Sequence, residues 1–416
     1  MRIFKFGGAS VKDAKGIKNM VNVLKEVGHK DALLVISAMG KTTNAMEKVV
    51  DYYFTNKNEL DNAIQVVVDS HKAIINELFE VKNHDIHNTV NRLIEEFRGF
   101  LIWNKSPKYA FVYDQVVGYG ELLSTSIVSA YLNEIGLENQ WLDVRNLIKT
   151  DANNRDAQVN WERTQNEIKD KVDGHKLNIT QGFLGSDENN FTTTLGREGS
   201  DYSAAILAYC LDAESVTIWK DVPGVLNADP RHFKETQLLN EISYREAIEL
   251  AFYGASVIHP KTLQPLQGKE IPLHVKSFIN PKEKGTTVGK GTKISPEIPC
   301  FIVKKNQVLL KLSSLDFSFI VEENMSEIFK LFHDNRLKVD LIQNSAISFS
   351  VCLDNKFDGL KDTLETLKKK FKVTCHEGVS LYTIRHFNEN SVEKILNGYT
   401  VLVEQRGKET VQLVVK

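Results

Sequence analysis

Residues 32–38, Ala-Leu-Leu-Val-Ile-Ser-Ala, run apolar for five positions before reaching a hydroxyl. An unbroken aliphatic run of that kind suits a strand covered on both faces, as in a parallel sheet. Parallel neighbours need a crossover between them, usually a helix. The chain supplies one: Arg2–Phe6 reads as a strand, Asp13–Val27 carries helical spacing, and the apolar run follows. The alternation continues with a helix at 120–136, a strand at 139–144, and strands ending in turns at 178–186 and 214–225. Between them, 44–105 is rich in helical spacing, for example Val90, Leu93, Ile94 and Phe97. The expected fold is α/β, an open and mainly parallel sheet sandwiched by helices, with ligands at the carboxyl ends of its strands.

At 416 residues the chain is long enough for two or three domains. The stretch 271–299 begins as a strand and dissolves into Gly, Pro and Lys, so the boundary is expected there. Beyond it the order reads βαββαβ followed by a shortened copy, which predicts two ferredoxin-like modules, the second truncated. With 52 basic and 54 acidic residues the net charge is −2, which argues against a nucleic-acid binder built on phosphate contacts. The cysteines, Cys210, Cys300, Cys352 and Cys375, are scattered and form no CxxC pair, so neither a disulfide framework nor a zinc site is expected. The amino terminus reads as a strand rather than a signal peptide, and no apolar run approaches a membrane span. A cytoplasmic location, away from membranes, is the expectation.

Chemistry-bearing residues gather at strand ends and helix starts. Lys5-Phe6-Gly7-Gly8 closes the first strand: glycines let backbone amides approach a phosphate, and the lysine offers a point charge. Gly40-Lys41-Thr42 imitates the end of a Walker A loop, but Val35 stands where its first glycine belongs. Ser37 and Thr43 remain as hydroxyls beyond the buried strand. Glu121 opens an apolar helix, either as a first-turn acid complementing the dipole or as a carboxylate awaiting an ammonium. Gly196-Arg197-Glu198-Gly199-Ser200-Asp201 precedes another buried helix. Ser200 or Asp201 can cap it, or its amides can face an anion. Lys220, Asp221, Asp229 and Arg231 form a polar rim, and His259, before Pro260 and Lys261, reads as a hydrogen-bonded structural residue. With no Ser-His-Asp arrangement, metal-spaced histidines or GxGxxG turn competing, lysines, an arginine and glycine turns around one cleft suggest phosphate handling.

Taken in order, KFGGASV, GELLST, LGREGSDYSAA, IWKDVPGVLNADPR and GASVIHPKTL resemble the motif series of the aspartate kinases, within the amino-acid kinase fold. VDLIQNS and the two C-terminal modules resemble that family's regulatory ACT pair, so the resemblance spans essentially the whole chain. It implies an amino-acid kinase domain over 1–295 and a regulatory region of two ACT modules over 299–416. The implied reaction is transfer of the γ-phosphate of ATP to the side-chain carboxylate of L-aspartate, giving 4-phospho-L-aspartate for lysine, threonine and methionine biosynthesis. Carried over by residue, Lys5 binds the transferring phosphate beside the amides of Gly7 and Gly8, and Asp201 orients Lys5. Ser37, Thr43, Glu121 and Arg197 hold the amino acid. Lys220, Asp221, Leu226, Arg231, Ser256 and Val257 line the nucleotide side, with Mg²⁺ carried on the phosphates rather than in a protein cage. Asp340, Asn344 and Ser345 match the loop for an amino-acid effector, lysine or threonine. A homodimer or higher homo-oligomer through the ACT modules is the family expectation.

The sequence departs from the family pattern at Ala9, Glu198, Lys220 and Ser256, and Glu322-Glu323-Asn324 replaces an expected Arg-Gly-Phe. Lys220 is expected to supply the charge on ATP that Ser256 cannot, and Glu198 to point away from the cleft. Within the same fold the rivals are kinases of glutamate, acetylglutamate or UMP. From another class, the rival is an amino-acid sensor with a decayed kinase half, which the joint presence of Lys5, Glu121, Arg197 and Asp201 opposes.

Overall fold

The alternation of apolar strands and helices becomes an eight-stranded sheet in the computed structural model, which describes residues 1–81, 84–255, 258–291, 294–316 and 318–416. The chain divides into two units, the first made of residues 1–225, 238–248 and 257–294. In chain order its elements begin β1 (Arg2–Phe6), α1 (Ala14–Val27), β2 (Ala32–Ile36), α2 (Thr42–Thr55), α3 (Lys57–Leu78), α4 (Ile86–Trp103), α5 (Tyr109–Val117) and α6 (Tyr119–Glu134). They continue β3 (Asn139–Leu142), α7 (Trp161–Lys171), β4 (Leu177–Gln181), β5 (Leu184–Ser186), β6 (Thr192–Thr194), α8 (Gly199–Cys210) and β7 (Ser215–Lys220). After β8 (Glu241–Ser243) and α9 (Tyr244–Tyr253) come α10 (Pro260–Gly268), β9 (Leu273–Ser277) and β10 (Thr286–Gly289).

The sheet order is β3-β4-β2-β1-β7-β9-β10-β8, parallel except for the β9–β10 pair. Strand β2 is buried along its whole length, as its apolar run requires. Asp13 caps α1, accepting a 2.7 Å hydrogen bond from the Gly16 amide. The helix-rich insertion is α2, α3 and α4, whose apolar stripes join β1, β2 and α6 in one core around Phe6, Ile36, Val49, Val90 and Phe97. His259 caps α10 by accepting from the Lys261 amide at 3.2 Å, with Pro260 at the first helical position.

The second unit, residues 226–237, 249–256 and 295–416, carries an antiparallel sheet of order β12-β13-β11-β14-β16-β15. Its elements are β11 (Cys300–Ser314), α11 (Glu322–Asp334), β12 (Lys338–Asn344), β13 (Ser348–Asp354), α12 (Leu360–Leu367), β14 (Phe371–Arg385), α13 (Glu389–Leu396), β15 (Val401–Arg406) and β16 (Thr410–Val415). This is the βαββαβ order and a shorter copy holding the single helix α13, but the two are not separate sheets. Strands β11 and β14 run through both. Gly378 has φ 69° within β14, near a register shift at Lys304–Gln307 of β11. The irregularity bends the ladder instead of ending it. Helices α11 and α12 bury Ile328, Phe332, Leu360 and Leu367 against Leu310, Leu312 and Phe349 of one half. Helix α13 buries Val392 and Ile395 against Ile384 and Leu413 of the other.

Candidate active site

A cavity of about 580 Å³ in the first unit is walled by Lys5, Ser37, Thr43, Glu121, Arg197, Asp201 and Lys220. Lys5 and Lys220 sit at or near the carboxyl ends of adjacent parallel strands, β1 and β7. Ser37 follows β2 directly, and the Ser124 hydroxyl of α6 fixes its carbonyl at 2.8 Å. Gly8 lets the turn after β1 pack on the turn after β2: a Cβ there would stand 2.7 Å from the Ala38 carbonyl oxygen and 2.9 Å from that of Gly40. Lys5 Nζ lies 2.6 Å from Asp201 Oδ1, with both side chains largely buried.

Helix α8 does not use Ser200 or Asp201 as its cap. Its N-cap is Glu198, left-handed at φ 55°, with no capping bond from its side chain. Ser200 and Asp201 fall within the first turn, and Gly199, Ser200 and Asp201 line the cavity. The helix start therefore faces the cavity, an arrangement suited to anions. Glu198 lines it too, contrary to the expectation that it points away, and its Oε2 is buried without a hydrogen-bond partner. Position on the turn, not charge, sets its direction.

Glu121 is 3% exposed, and its Oε2 has no hydrogen-bond partner. Burial pushes its carboxyl up to about 8, against the opposing pull of the Glu121 and Ala38 backbone amides. A carboxylate so held gains most from a cation brought by a ligand. Arg197, by contrast, is exposed on the rim.

Four further wall residues were not singled out from the sequence: Tyr113, Arg155, Phe183 and Thr194. The Arg155 guanidinium lies 4.4 Å from the Tyr113 ring centroid, and Tyr113 donates to Glu47 at 3.0 Å. Asp114, fully buried, positions this corner by accepting from the Arg155 amide at 3.1 Å, Asn154 Nδ2 at 3.0 Å and Thr194 Oγ1 at 2.7 Å. Burial raises the Asp114 carboxyl against those three donors. The available signal was Arg155 in a polar loop, with no periodicity to aim it.

Among the described residues, the other candidates are not part of this cavity wall. Gly7 and Gly8 are in the turn beside Lys5, not in the wall, and Asp221 is exposed outside it. Leu226 and Arg231 belong to the second unit, where Arg231 pairs with Asp229 at 2.5 Å. Ser256 and Val257 lie outside the described residues. In the second unit Asp340 is paired with Lys304 Nζ at 2.8 Å, its carboxylate 5% exposed, while the Ser345 hydroxyl bonds Ser348 at 2.6 Å. Asn344 ends β12.

The model of the amino acid kinase family matches residues 1–277. The chain is 31% identical to the lysine-sensitive aspartokinase 3 of Escherichia coli strain K12, over 92% of this chain and 86% of that one. It belongs to the aspartokinase family. It also matches the chloroplastic bifunctional aspartokinase/homoserine dehydrogenase 2 of Arabidopsis thaliana at 28% identity, covering 90% of this chain but 42% of that longer protein. Crystal structures of the Escherichia coli aspartokinase III align over all of this chain and 96% of theirs at 28% identity. Their TM-scores are 0.84 for the complex with lysine and aspartate and 0.80 for that with aspartate and ADP.

Proposed function

We propose that this aspartokinase transfers the γ-phosphoryl group of ATP to the β-carboxylate of L-aspartate in the 580 Å³ cavity. The observation that carries the reading is the 2.6 Å Lys5–Asp201 pair in one cavity with a buried Glu121 whose Oε2 lacks a hydrogen-bond partner and the cations Arg155 and Arg197. Aspartate presents one ammonium and two carboxylates, and that wall offers the buried Glu121 carboxylate and the Arg155 and Arg197 guanidiniums. Glu121 takes the ammonium, and Arg197 grips the α-carboxylate in the bidentate manner open to guanidinium. Ser37 and Thr43 supply hydroxyl donors.

The substrate carboxyl has an ordinary pKa of about 3.9, so it is ionised at neutral pH and needs no general base. The barrier is repulsion between anions. Lys5, held by Asp201, lies between them, and the α8 amides face the phosphates, so stabilisation comes from alignment and preset charge. Lys220, in the cavity wall, is assigned to the nucleotide together with its neighbour Asp221. Among the described residues no three His, Cys, Asp or Glu side chains group to hold a metal. Mg²⁺ commonly needs only one or two carboxylates beside phosphate oxygens, and the unpaired Glu198 Oε2 fits that need. Bound there, the ion would neutralise phosphate charge.

Kinase residues 1–295 are paired with a regulatory region, 299–416, answering to lysine or threonine, and the ACT modules join copies into a homodimer or larger homo-oligomer in the cytoplasm. Among the described residues no helix is long and apolar enough to cross a membrane. The test is ADP release with L-aspartate, L-glutamate and UMP, trapping acyl phosphate with hydroxylamine. Aspartyl hydroxamate formed with aspartate alone is expected; its absence overturns the reading.

A further inference from the structure

Strands β7 and β9 lie inside the eight-stranded sheet, where parallel strands are ordinarily apolar on both faces. One face complies: Val216, Ile218, Leu273 and Val275 are fully buried. The other alternates into Ser215, Thr217 and Trp219 on β7 and His274 and Lys276 on β9. The register sets Phe4 beside Thr217, Thr217 beside His274, and His274 beside Thr287. Trp219 pairs with Lys276. This face opens into a groove of about 340 Å³ that shares no lining residue with the candidate active site.

The charged residues of the groove are Arg2, Lys276 and Lys284, with no carboxylate among its lining. Among the described residues none of the three forms an ion pair. Arg2 spends two donors on the Val27 and Gly28 carbonyls, each at 3.0 Å, and lies 5.0 Å from the Phe4 ring centroid. Lys276 Nζ rests 5.7 Å from the Trp219 ring, and burial lowers its ammonium below the ordinary lysine range. The Trp219 indole Nε1 is buried without a hydrogen-bond partner, in a side chain 2% exposed. A partly desolvated lysine and an unmet indole donor on a central sheet face are costly unless something anionic meets them.

We propose that this groove is a second ligand site, for a small polyanion bearing phosphate or carboxylate groups and held by Arg2, Lys276 and Lys284. The hydroxyls of Ser215, Thr217 and Thr287 add neutral donors. Arg2 pairs with Ser215 and Lys276 with Trp219, so the two stand two strands apart, about 9–10 Å across the sheet, and four residues apart along it. An anion with separated acidic groups therefore fits better than a single phosphate ion. Because Trp219 immediately precedes Lys220 of the catalytic cavity, it also serves as a reporter.

The test follows indole N–H resonances of the four tryptophans, with Trp219→Phe assigning the relevant one. Pyrophosphate and citrate are titrated separately, with ADP and aspartate saturating the catalytic cavity and KCl holding ionic strength constant. A saturable shift of the Trp219 signal is expected from at least one, and the stronger names phosphate or carboxylate chemistry. The double variant Lys276→Met, Lys284→Ala should weaken binding by about thirtyfold, while Lys276→Arg retains it and kcat/KM for aspartate stays within about twofold. Exposed Lys284→Ala alone should weaken binding severalfold, which keeps the test open if the double variant melts early. No saturable shift from either anion, or affinities unchanged in both lysine variants, overturns the proposal.

Discussion

Replacing Glu121 by Gln removes an ionisable group from the core while keeping the shape, and its consequences can be worked out. Holding a carboxyl at about 8 instead of 4.5 penalises its ionised form by about 5 kcal/mol. Between those values the folded chain keeps a proton that the unfolded chain has released, so stability falls as pH rises through the window. Below pH 4.5 the wild type carries no such cost, and above about 8 it carries all of it. Glu121→Gln should therefore match the wild type near pH 5 in urea unfolding and exceed it by several kcal/mol near pH 9. Aspartate binding tells the other half. If its ammonium requires the ionised carboxylate, apparent affinity should weaken about tenfold from pH 7 to pH 6, where no group of free aspartate titrates. Close to one proton should leave per aspartate bound at pH 7, read by calorimetry in buffers of different ionisation enthalpy. Glu121→Gln should release none and raise the aspartate KM at least about thirtyfold, the loss of a buried charge partner. A KM within threefold of wild type, together with no proton release from the wild type, would refute the assignment.

Asp201→Asn leaves Lys5 without its 2.6 Å partner, so kcat should drop about a hundredfold with the aspartate KM nearly unchanged; steady-state kinetics decide it. Arg155→Lys loses the planar contact on Tyr113 and should raise the aspartate KM about tenfold while sparing kcat. Glu198→Gly relieves a left-handed residue, so urea unfolding should show a gain of about 1 kcal/mol. The same variant should need more Mn²⁺ for relaxation enhancement in the ADP complex. Lys304→Met leaves the buried Asp340 only the more distant Lys338, at 3.8 Å, and should cost about 3 kcal/mol; added lysine, but not threonine, should restore the melting temperature if that carboxylate is an effector contact.

The catalytic wall was legible where chemistry sits on regular elements. Lys5 and Lys220 end parallel strands, while Glu121 and Asp201 lie in first helical turns, so periodicity alone sends them toward one edge of the sheet. Arg155 was not legible, because an irregular loop delivers it. Its φ of 69° and its bond to Asp114, 41 residues earlier in the chain, decide where the guanidinium lies. In the second unit the strand order was readable but its continuity was not. A glycine inside a β run reads equally as a turn or a bulge, and only the opposing register of β11 makes Gly378 the latter. The polar groove on β7 and β9 was written plainly as Ser-Val-Thr-Ile-Trp and Leu-His-Val-Lys. Such period-two alternation in a central strand marks one face as carrying the polar groups.

Glu198 shows how charge bookkeeping has to follow protonation rather than composition. The cavity wall holds the cations Lys5, Arg155, Arg197 and Lys220 against the acids Glu121, Glu198 and Asp201, which looks nearly balanced. Glu121, held at about 8, is mostly protonated at neutral pH, and Asp201 is matched by Lys5 at 2.6 Å. What remains, leaving Lys220 aside, is Arg155 and Arg197 against Glu198, a cavity still positive enough to draw in two anionic substrates. An acid on the α8 turn is therefore affordable beside an anion site. Once the substrate ammonium stabilises the ionised carboxylate, Glu121 releases its proton to solvent and the wall gains a second negative charge. A divalent cation carried on the phosphates would then offset both.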